Sequence, residues 1–353
     1  MQRQKAIVLT NGFLHTPFAK TCHGLLRGSD RFEVLAVIDN QHTGADAGEV
    51  MDGKPLGIPV YGDVATAMAH FGAAVTTCVM GVATSGGYLP DSIKVAIESA
   101  IRHKLSVVSG LHTFLSDDPH FSSLAAEYGV SITDVRKPRP RNQLKFWSGE
   151  IYQVPTPKIA VLGMDCAVGK RTTCRFVMEM CRKNGIATEM IYTGQTGWMQ
   201  GYPHGFIFDS TVNDFIGGEV ERAIVECARE SNPELILIEG QSALRNPSGP
   251  CGAEFLLSGN AKGVILQHVP GRKHYEDTPA ILPTVASEIA LIQSYGAAVL
   301  AITLNEEGMS DAEMTACQSA LQEELGLPVV RPLKEGVEKL LPTIRSFMEQ
   351  GNH

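Results

Sequence analysis

The chain has 353 residues, 44% of them hydrophobic and 19% charged, and its formal net charge at pH 7 is −8. A single hydrophobic core rarely organises this length, so we expect two domains. The acidic balance argues against a nucleic-acid partner, which would need a basic surface patch. No apolar run approaches the ~20 residues of a membrane span, and no leader-like segment follows Met1. We therefore expect a cytoplasmic protein that binds a small molecule, no nucleic acid and no membrane.

The first half of the chain alternates short apolar segments with segments of helical periodicity. The apolar segments, which we predict to be strands, are residues 5–12, 32–40, 75–83 and 105–112. Continuously apolar strands separated by helices are typical of a parallel sheet covered on both faces. We therefore predict a Rossmann-like domain over residues 1–135. Residues 81–90 and 109–119 are predicted loops at the carboxyl edge of its sheet.

Asp39 ends the second predicted strand, where dinucleotide-binding folds place the acid that binds ribose. The matching Gly-x-Gly-x-x-Gly fingerprint is missing, because residues 10–21 contain one glycine. NAD is therefore not an expected ligand of this domain.

Residues 136–157 interrupt the alternation with a segment dense in proline and basic side chains. Proline restricts the preceding residue to extended backbone, so we predict a linker between two domains. A nucleic-acid-binding arm is the alternative interpretation, and the short run and the acidic total weigh against it.

The second half resumes the α/β alternation and is predicted to form a P-loop NTPase-like domain over residues 158–353. The predicted strands are residues 158–163, 187–194, 234–240, 262–269, 297–305 and 328–332. The fold class is therefore α/β, with a Rossmann-like domain followed by a P-loop domain.

The motif that indicates a phosphate site is "VLGMDCAVGKRTT", which follows the first strand of this domain. Gly169 permits a close approach of phosphate to the backbone, and Lys170 adds a positive charge at a helix start. Five residues separate Gly163 from Gly169, as in the loops of the dethiobiotin synthetase type, and Asp165 and Val168 fall in register with that pattern.

The motif departs from the usual pattern at one position, because Arg171 stands where a hydroxyl residue normally follows the lysine. Thr172 or Thr173 can supply the hydroxyl for Mg²⁺ only if the loop is shifted, since one helical residue rotates a side chain by about 100°. Glu239 ends an apolar strand downstream and is the predicted carboxylate for the metal. If magnesium is not held in the usual way, Arg171 becomes an additional phosphate clamp.

Other polar residues follow predicted strands or begin predicted helices, where α/β proteins bind substrates. Gln195, Asp214, Arg245 and Arg272 are the predicted substrate-binding residues, with a structural turn, a helix cap or an ion pair as the alternative for each. We assign Arg245 to a substrate carboxylate because guanidinium binds carboxylate bidentately.

Two further residues follow strands of this domain. His268 is a candidate general base, because imidazole titrates near neutrality. Asn305 lies where P-loop proteins often recognise a base.

Four segments together resemble the domain-of-unknown-function family sixteen-eleven over essentially the whole chain. They are "AKTCHGLLRGSDRFEVLAVID", "DVRKP", "GMDCAVGKRTT" and "IEGQSAL". The resemblance implies a Rossmann-like domain and a P-loop domain. It also implies relatives of the DgcN type, which are D-glutamate N-acetyltransferases and are expected to use acetyl-CoA.

Two enzymatic hypotheses follow. In the first, an N-acyltransferase transfers acetyl from acetyl-CoA to a small acidic amino acid such as D-glutamate, with Lys170, Glu239 and His268 as the catalytic residues. The alternative is a kinase or ligase like dethiobiotin synthetase, which would use ATP with Thr172, Asp165 and Glu239 around Mg²⁺. A nucleotide-binding sensor is a third, non-enzymatic hypothesis. We also expect a homo-oligomer.

Overall fold

The computed structural model describes residues 3–83 and 89–350. Residues 84–88, within the loop predicted over 81–90, lie outside this described part. The chain folds into two compact units. The first contains Met1–Pro138 and Gln195–Pro203, and the second contains Arg139–Gly194 and His204–His353.

The first unit is built on a six-stranded parallel sheet with the strand order β3-β2-β1-β4-β5-β6. Its strands are Gln4–Leu9 (β1), Phe32–Ile38 (β2), Val60–Tyr61 (β3), Thr77–Met80 (β4), Ser106–Ser109 (β5) and Ile132–Asp134 (β6). This is the doubly wound order of the Rossmann fold, in which the strand order reverses beside the first strand. The predicted Rossmann-like architecture is confirmed.

The helices of the first unit lie between these strands, with one exception. They are Lys20–Leu26 (α1), Ala47–Asp52 (α2), Val64–Phe71 (α3), Asp91–Arg102 (α4), Pro119–Tyr128 (α5) and Gln195–Gln200 (α7). The exception is α7, which comes from the middle of the P-loop sequence. Its Met199 is fully buried in the apolar cluster that contains Val8 and Val79. The Thr196 hydroxyl lies 3.1 Å from the Thr21 hydroxyl, so this short helix is part of the first unit's core.

Asp39 occupies the predicted position at the end of β2, and its carboxylate is engaged by the unit's own donors. Oδ2 accepts hydrogen bonds from the Thr10 hydroxyl (2.7 Å) and the backbone N–H groups of Gly12 (2.8 Å) and Leu14 (3.0 Å). Oδ1 lies 2.8 Å from Nδ1 of His42. These bonds, His42 foremost, lower the pKa of Asp39 against the opposing effect of burial, and the carboxylate stabilises the loop after β1.

The second unit contains a six-stranded parallel sheet with the strand order β12-β11-β10-β7-β9-β8. Its strands are Lys158–Gly163 (β7), Thr188–Ile191 (β8), Leu235–Glu239 (β9), Gly263–His268 (β10), Ala298–Leu304 (β11) and Val329–Val330 (β12). Every residue of β7 is buried, as expected for a central strand covered on both faces. Its neighbours β9 and β10 end beside it, so their last residues lie near the loop after β7.

The helices of the second unit pack on this sheet. They are Lys170–Lys183 (α6), Ile216–Ser231 (α8), Ala253–Leu257 (α9), Val285–Ser294 (α10), Asp311–Leu325 (α11), Pro332–Glu335 (α12) and Leu341–Gln350 (α13). Among the described residues, no helix combines the length and apolar character needed to cross a bilayer.

The segment predicted as a linker packs on the second unit from Arg139 onward. Two almost fully buried carboxylates of α8 hold its backbone. Glu219 accepts a hydrogen bond from the N–H of Lys145 at 3.0 Å, and Glu221 accepts one from the N–H of Ser148 at 2.6 Å. These acids accept hydrogen bonds from backbone N–H groups that would otherwise be bound by water. The segment is therefore ordered against α8.

Candidate functional site

The centre of the candidate site is the loop that joins β7 to α6. Gly169 has a φ of 102°, a left-handed conformation that glycine adopts without strain, and α6 begins at the next residue. Gly169 carries no side chain to cap the helix, and the first N–H groups of a helix have no partners within it. The helix dipole adds positive potential at the same end. The local structure is therefore the strand, loop and helix start that the motif predicts.

Lys170 folds back over this loop. Its side chain is buried, and Nζ donates hydrogen bonds to the backbone oxygens of Asp165 (2.5 Å) and Ser242 (2.8 Å). A Cβ atom on Gly163 would lie only 2.8 Å from Cδ of Lys170, so a larger residue here would force the lysine side chain to shift. Burial lowers the pKa of Lys170 below its ordinary value, and acidic groups nearby, beginning with Cys166, oppose that effect.

Asp165 is fully buried and anchors the loop. Its Oδ1 accepts hydrogen bonds from the N–H of Cys166 (2.7 Å) and the amide of Asn246 (3.2 Å). Its Oδ2 accepts them from Nη1 of Arg272 (3.0 Å) and the N–H of Glu276 (2.8 Å). With four donors around it, the carboxylate holds the loop in place and is not directed at a ligand.

Two predicted ligand-binding residues also hold the loop. Arg272 donates to the backbone oxygen of Cys166 at 2.9 Å as well as to Asp165, and its Nη2 pairs with Glu307 at 2.6 Å. Asn305 donates from Nδ2 to the backbone oxygen of Val168 at 3.0 Å. The structure therefore gives Arg272 and Asn305 a positioning role, which the sequence did not predict.

Glu239 lies at the carboxyl end of β9, next to β7, and is 3% exposed. Its Oε2 accepts a hydrogen bond from the N–H of Thr193 at 3.0 Å, and its backbone oxygen accepts one from the Thr193 hydroxyl at 2.7 Å. Burial raises the pKa of this carboxyl above its ordinary value. The charges of Arg171 and Lys170 act on this pKa in the opposite direction.

The two threonines after Arg171 have different environments. Thr173 is buried, and its hydroxyl donates to Oε1 of Gln267 at 2.6 Å; the Thr303 hydroxyl donates to the same oxygen at 2.7 Å. Thr173 is therefore directed into the core between α6 and β10, whereas Thr172 is half-buried. Thr173 does not fit the predicted phosphate or metal role, because its hydroxyl is engaged on the core side of the helix.

His268 ends β10, as predicted, and its Nδ1 is buried without a hydrogen-bond partner among the described residues. Burial lowers the pKa of His268 to about 4. The imidazole is therefore neutral at physiological pH, and it is a weaker base than an ordinary histidine.

The remaining predicted substrate residues are Arg245, Gln195 and Asp214. Arg245 pairs with the buried Glu288 of α10 at 2.6 Å, so its guanidinium already neutralises a carboxylate of this chain. Gln195 belongs to the first unit, where its Oε1 accepts a hydrogen bond from Nη2 of Arg136 at 2.9 Å. Asp214 is exposed in the 3-10 turn Asn213–Phe215, which directly precedes α8.

Several residues at the loop were not identified from the sequence. Ser242 supplies one of the two carbonyl oxygens that hold Lys170, Thr193 supplies the N–H for Glu239, and Asn246 is fully buried beneath Cys166. Gln267 could have been noticed in the sequence, because this uncharged polar residue directly follows the apolar run "VIL" of a predicted strand. A buried polar side chain needs a partner, and this one accepts from two threonines.

Taken together, the loop places two cations, a buried carboxylate and an uncapped helix start at one edge of a parallel sheet. Such an edge is where open α/β sheets bind ligands. An anion located here would be stabilised by the helix start and by Lys170 and Arg171. Among the described residues, no three histidine, cysteine or acidic side chains are grouped to hold a metal ion.

A Rossmann-like unit followed by a P-loop unit defines the class of protein. Residues 40–138 match the Rossmann-like N-terminal domain of the domain-of-unknown-function family DUF1611, and residues 145–341 match its C-terminal P-loop domain. These matches span most of the chain, so the chain belongs to the DUF1611 family. The resemblance predicted from the sequence is confirmed.

The relatives include proteins with a named activity. The chain is 27% identical over 276 residues to a D-glutamate N-acetyltransferase of Pseudoalteromonas sp, covering 76% of this chain and 81% of that protein. It is 27% identical over 283 residues to a D-glutamate N-acetyltransferase of Tritonibacter scottomollicae, covering 77% and 82%. A crystal structure of a DUF1611 family protein from Anabaena variabilis is similar, with a TM-score of 0.88, 26% identity and coverage of 98% and 100%.

Proposed function

We propose that this protein is an N-acyltransferase that transfers an acetyl group from acetyl-CoA to a small acidic amino acid such as D-glutamate. The observation that carries the proposal is the convergence of Lys170, Arg171 and Glu239 at the start of α6. The names of the two relatives support the reaction class and the acceptor.

The loop would bind the phosphates of the donor. Gly169 lets an anion approach the backbone, and the helix start presents N–H groups to it. Lys170 exchanges its hydrogen bonds with two backbone oxygens for phosphate oxygens, which carry more negative charge. Arg171 adds a planar set of donors suited to two phosphate oxygens at once.

The reaction needs a base, because an ammonium group has no lone pair to attack a thioester. Glu239 would accept the ammonium proton, and the free amine would then attack the thioester carbonyl carbon. A C–N bond forms, the C–S bond breaks, and the leaving thiolate takes the second proton that the nitrogen loses as it becomes an amide. Glu239 suits this role better than His268, because burial raises the pKa of Glu239 and lowers the pKa of His268 to about 4.

The acceptor's carboxylates require further cations. Substrate contact by Arg245, Arg272, Gln195 and Asp214 stays a prediction. The hydrogen bonds of Arg245 and Arg272 to this chain's own acids mean that alanine variants of either would also disturb the fold.

The test offers acetyl-CoA or ATP with Mg²⁺, together with D- or L-glutamate, and records free thiol and ADP. Thiol release that depends on the amino acid supports the proposal, whereas ADP release without thiol supports the kinase or ligase alternative. Tight ligand binding without either product supports a sensor.

Variants then assign the roles. We expect Lys170→Ala to raise KM for acetyl-CoA, and Glu239→Gln to lower kcat by about 100-fold or more, as loss of a general base does. His268→Gln is the matched comparison and should leave kcat within about threefold, since a base contributes far more than that. If His268→Gln abolished turnover while Glu239→Gln did not, the base would be His268.

A further inference from the structure

The residue after the P-loop lysine is the feature that departs most from the P-loop pattern. In the usual pattern a hydroxyl at this position binds Mg²⁺, and an acid at the end of a neighbouring strand faces the same ion. Here Arg171 occupies the hydroxyl position and Glu239 occupies the acid position. A guanidinium therefore occupies the position of the hydroxyl group that would normally be a ligand of the divalent cation.

The other residues near the loop do not rebuild a metal site. The Thr173 hydroxyl is bonded to Gln267 in the core at 2.6 Å. Thr172 is rotated by about 100° from the position of Arg171 around the helix. Asp165, the other acid of the metal hypothesis, is fully buried with Arg272 and three other donors around it. The residues present thus do not fit Mg²⁺ held in the P-loop manner.

Two side-chain cations at this loop can offset the charge of a diphosphate without a divalent ion. Lys170 and Arg171 are the first two residues of α6 and bring one positive charge each. A diphosphate esterified at both ends, as in coenzyme A, carries one negative charge on each phosphate, which two cations neutralise. A triphosphate carries more negative charge and normally needs Mg²⁺ in addition to the lysine.

We propose that Arg171 replaces the divalent cation at this P-loop, so that the site binds a doubly esterified diphosphate in the absence of Mg²⁺. This inference rests on the proposed binding of donor phosphates at the loop. It makes Arg171 the residue that selects a diphosphate diester over a magnesium-bound triphosphate.

The experiment measures the affinity of the full-length protein for acetyl-CoA by calorimetry, in EDTA and in Mg²⁺. The wild-type affinity should differ by less than about twofold between the two conditions, whereas Arg171→Ser should lose about tenfold or more in EDTA, as removal of a charged hydrogen-bond donor does. Mg²⁺ should restore part of this loss, because serine returns the hydroxyl of the usual pattern. Arg171→Lys keeps the positive charge but loses the planar guanidinium donors. Its affinity for acetyl-CoA in EDTA should therefore lie between those of the wild type and Arg171→Ser.

A matched control lies one turn further along α6. Arg175 pairs with Glu179 at 2.6 Å, and Arg175→Ser should bind acetyl-CoA as the wild type does. Thermal unfolding of each variant separates lost affinity from lost folding. If Arg171→Ser is unfolded, the affinities of Arg171→Lys and the wild type for acetyl-CoA in EDTA decide whether Arg171 binds the diphosphate.

Two results would overturn the inference: a wild-type affinity that rises about tenfold or more with Mg²⁺, or an Arg171→Ser affinity equal to wild type in EDTA. ADP-ribose, a diphosphate that is esterified at both ends, serves as a second probe to separate the inference from the proposed function. If ADP-ribose binds without Mg²⁺ and through Arg171 while acetyl-CoA does not bind, the proposed function fails and the inference stands. If neither ligand binds in EDTA, the inference fails.

Discussion

Replacing Asp165 by alanine tests whether the buried carboxylate anchors the loop between β7 and α6 from within. The side chain is fully buried and accepts hydrogen bonds from two backbone N–H groups, from Asn246 and from Arg272. A residue with this role should affect folding stability strongly. A residue directed at a ligand or a metal would affect binding with little loss of stability.

The magnitude follows from the donors that the substitution leaves without an acceptor. Removing one member of a buried ion pair costs about 3–5 kcal/mol, and each buried donor that loses its partner costs about 1–3 kcal/mol. Arg272 keeps its pair with Glu307 at 2.6 Å, which limits the first of these costs. We therefore expect Asp165→Ala to lower the free energy of unfolding of the second unit by about 4 kcal/mol, a large part of the typical 5–15 kcal/mol.

The chain's two tryptophans allow each unit to be followed separately, because Trp198 lies in the first unit and Trp147 in the second. In a Trp198→Phe background, urea unfolding followed by the fluorescence of Trp147 reports the second unit. Asp63→Ala in a Trp147→Phe background is the reference. It removes an exposed N-cap of α3, with an expected cost of about 1 kcal/mol. A loss for Asp165→Ala no greater than this reference would refute the anchoring role.

Two other predictions concern the buried ends of β7. Burial lowers the pKa of Lys158 to about 8 from 10.5, so between these values the unfolded chain binds more protons and stability rises with pH. In urea titrations between about pH 8 and pH 10.5, Lys158→Met should remove about 3 kcal/mol of this pH-dependent increase in the free energy of unfolding. If the pH dependence of the variant equalled that of the wild type, the low pKa would not belong to Lys158. Gly163→Ala places a methyl group 2.8 Å from Cδ of Lys170 and should weaken acetyl-CoA binding as Lys170→Ala does. If calorimetry gave Gly163→Ala the acetyl-CoA affinity of the wild type, the Lys170 side chain would not be confined by Gly163.

The sequence predicts the strands and the helix start of the P-loop unit well, for a local reason. The strand predicted over 158–163 is observed at Lys158–Gly163, and the helix begins at Lys170 as expected. A continuous apolar run and a glycine followed by a lysine are signals contained in a few neighbouring residues. The short strand Val60–Tyr61 was not predicted, because two residues carry no detectable periodicity.

The partners of charged residues could not be predicted, because they are distant in the chain. Arg245 pairs with Glu288, 43 residues away, and Arg272 pairs with Asp165, 107 residues away. From the sequence, an arginine after a strand is equally suited to a substrate carboxylate and to a carboxylate of its own chain. The same reason explains the segment 136–157, since the buried acids that fix it lie on α8, more than 70 residues further along.

An aspartate that collects backbone N–H groups occurs in both units, and the difference between the two indicates which loop can take an external anion. In the first unit, Asp39 lies at the end of the neighbouring strand, and it binds the N–H groups of Gly12 and Leu14 in the loop after β1. A carboxylate of the chain therefore occupies the donors that a phosphate would use in a dinucleotide-binding protein. In the second unit, Asp165 is within the loop and binds donors on its buried side, including Arg272. Asp165 therefore holds the P-loop from its buried side, and this contrast supports the proposed anion site at the start of α6.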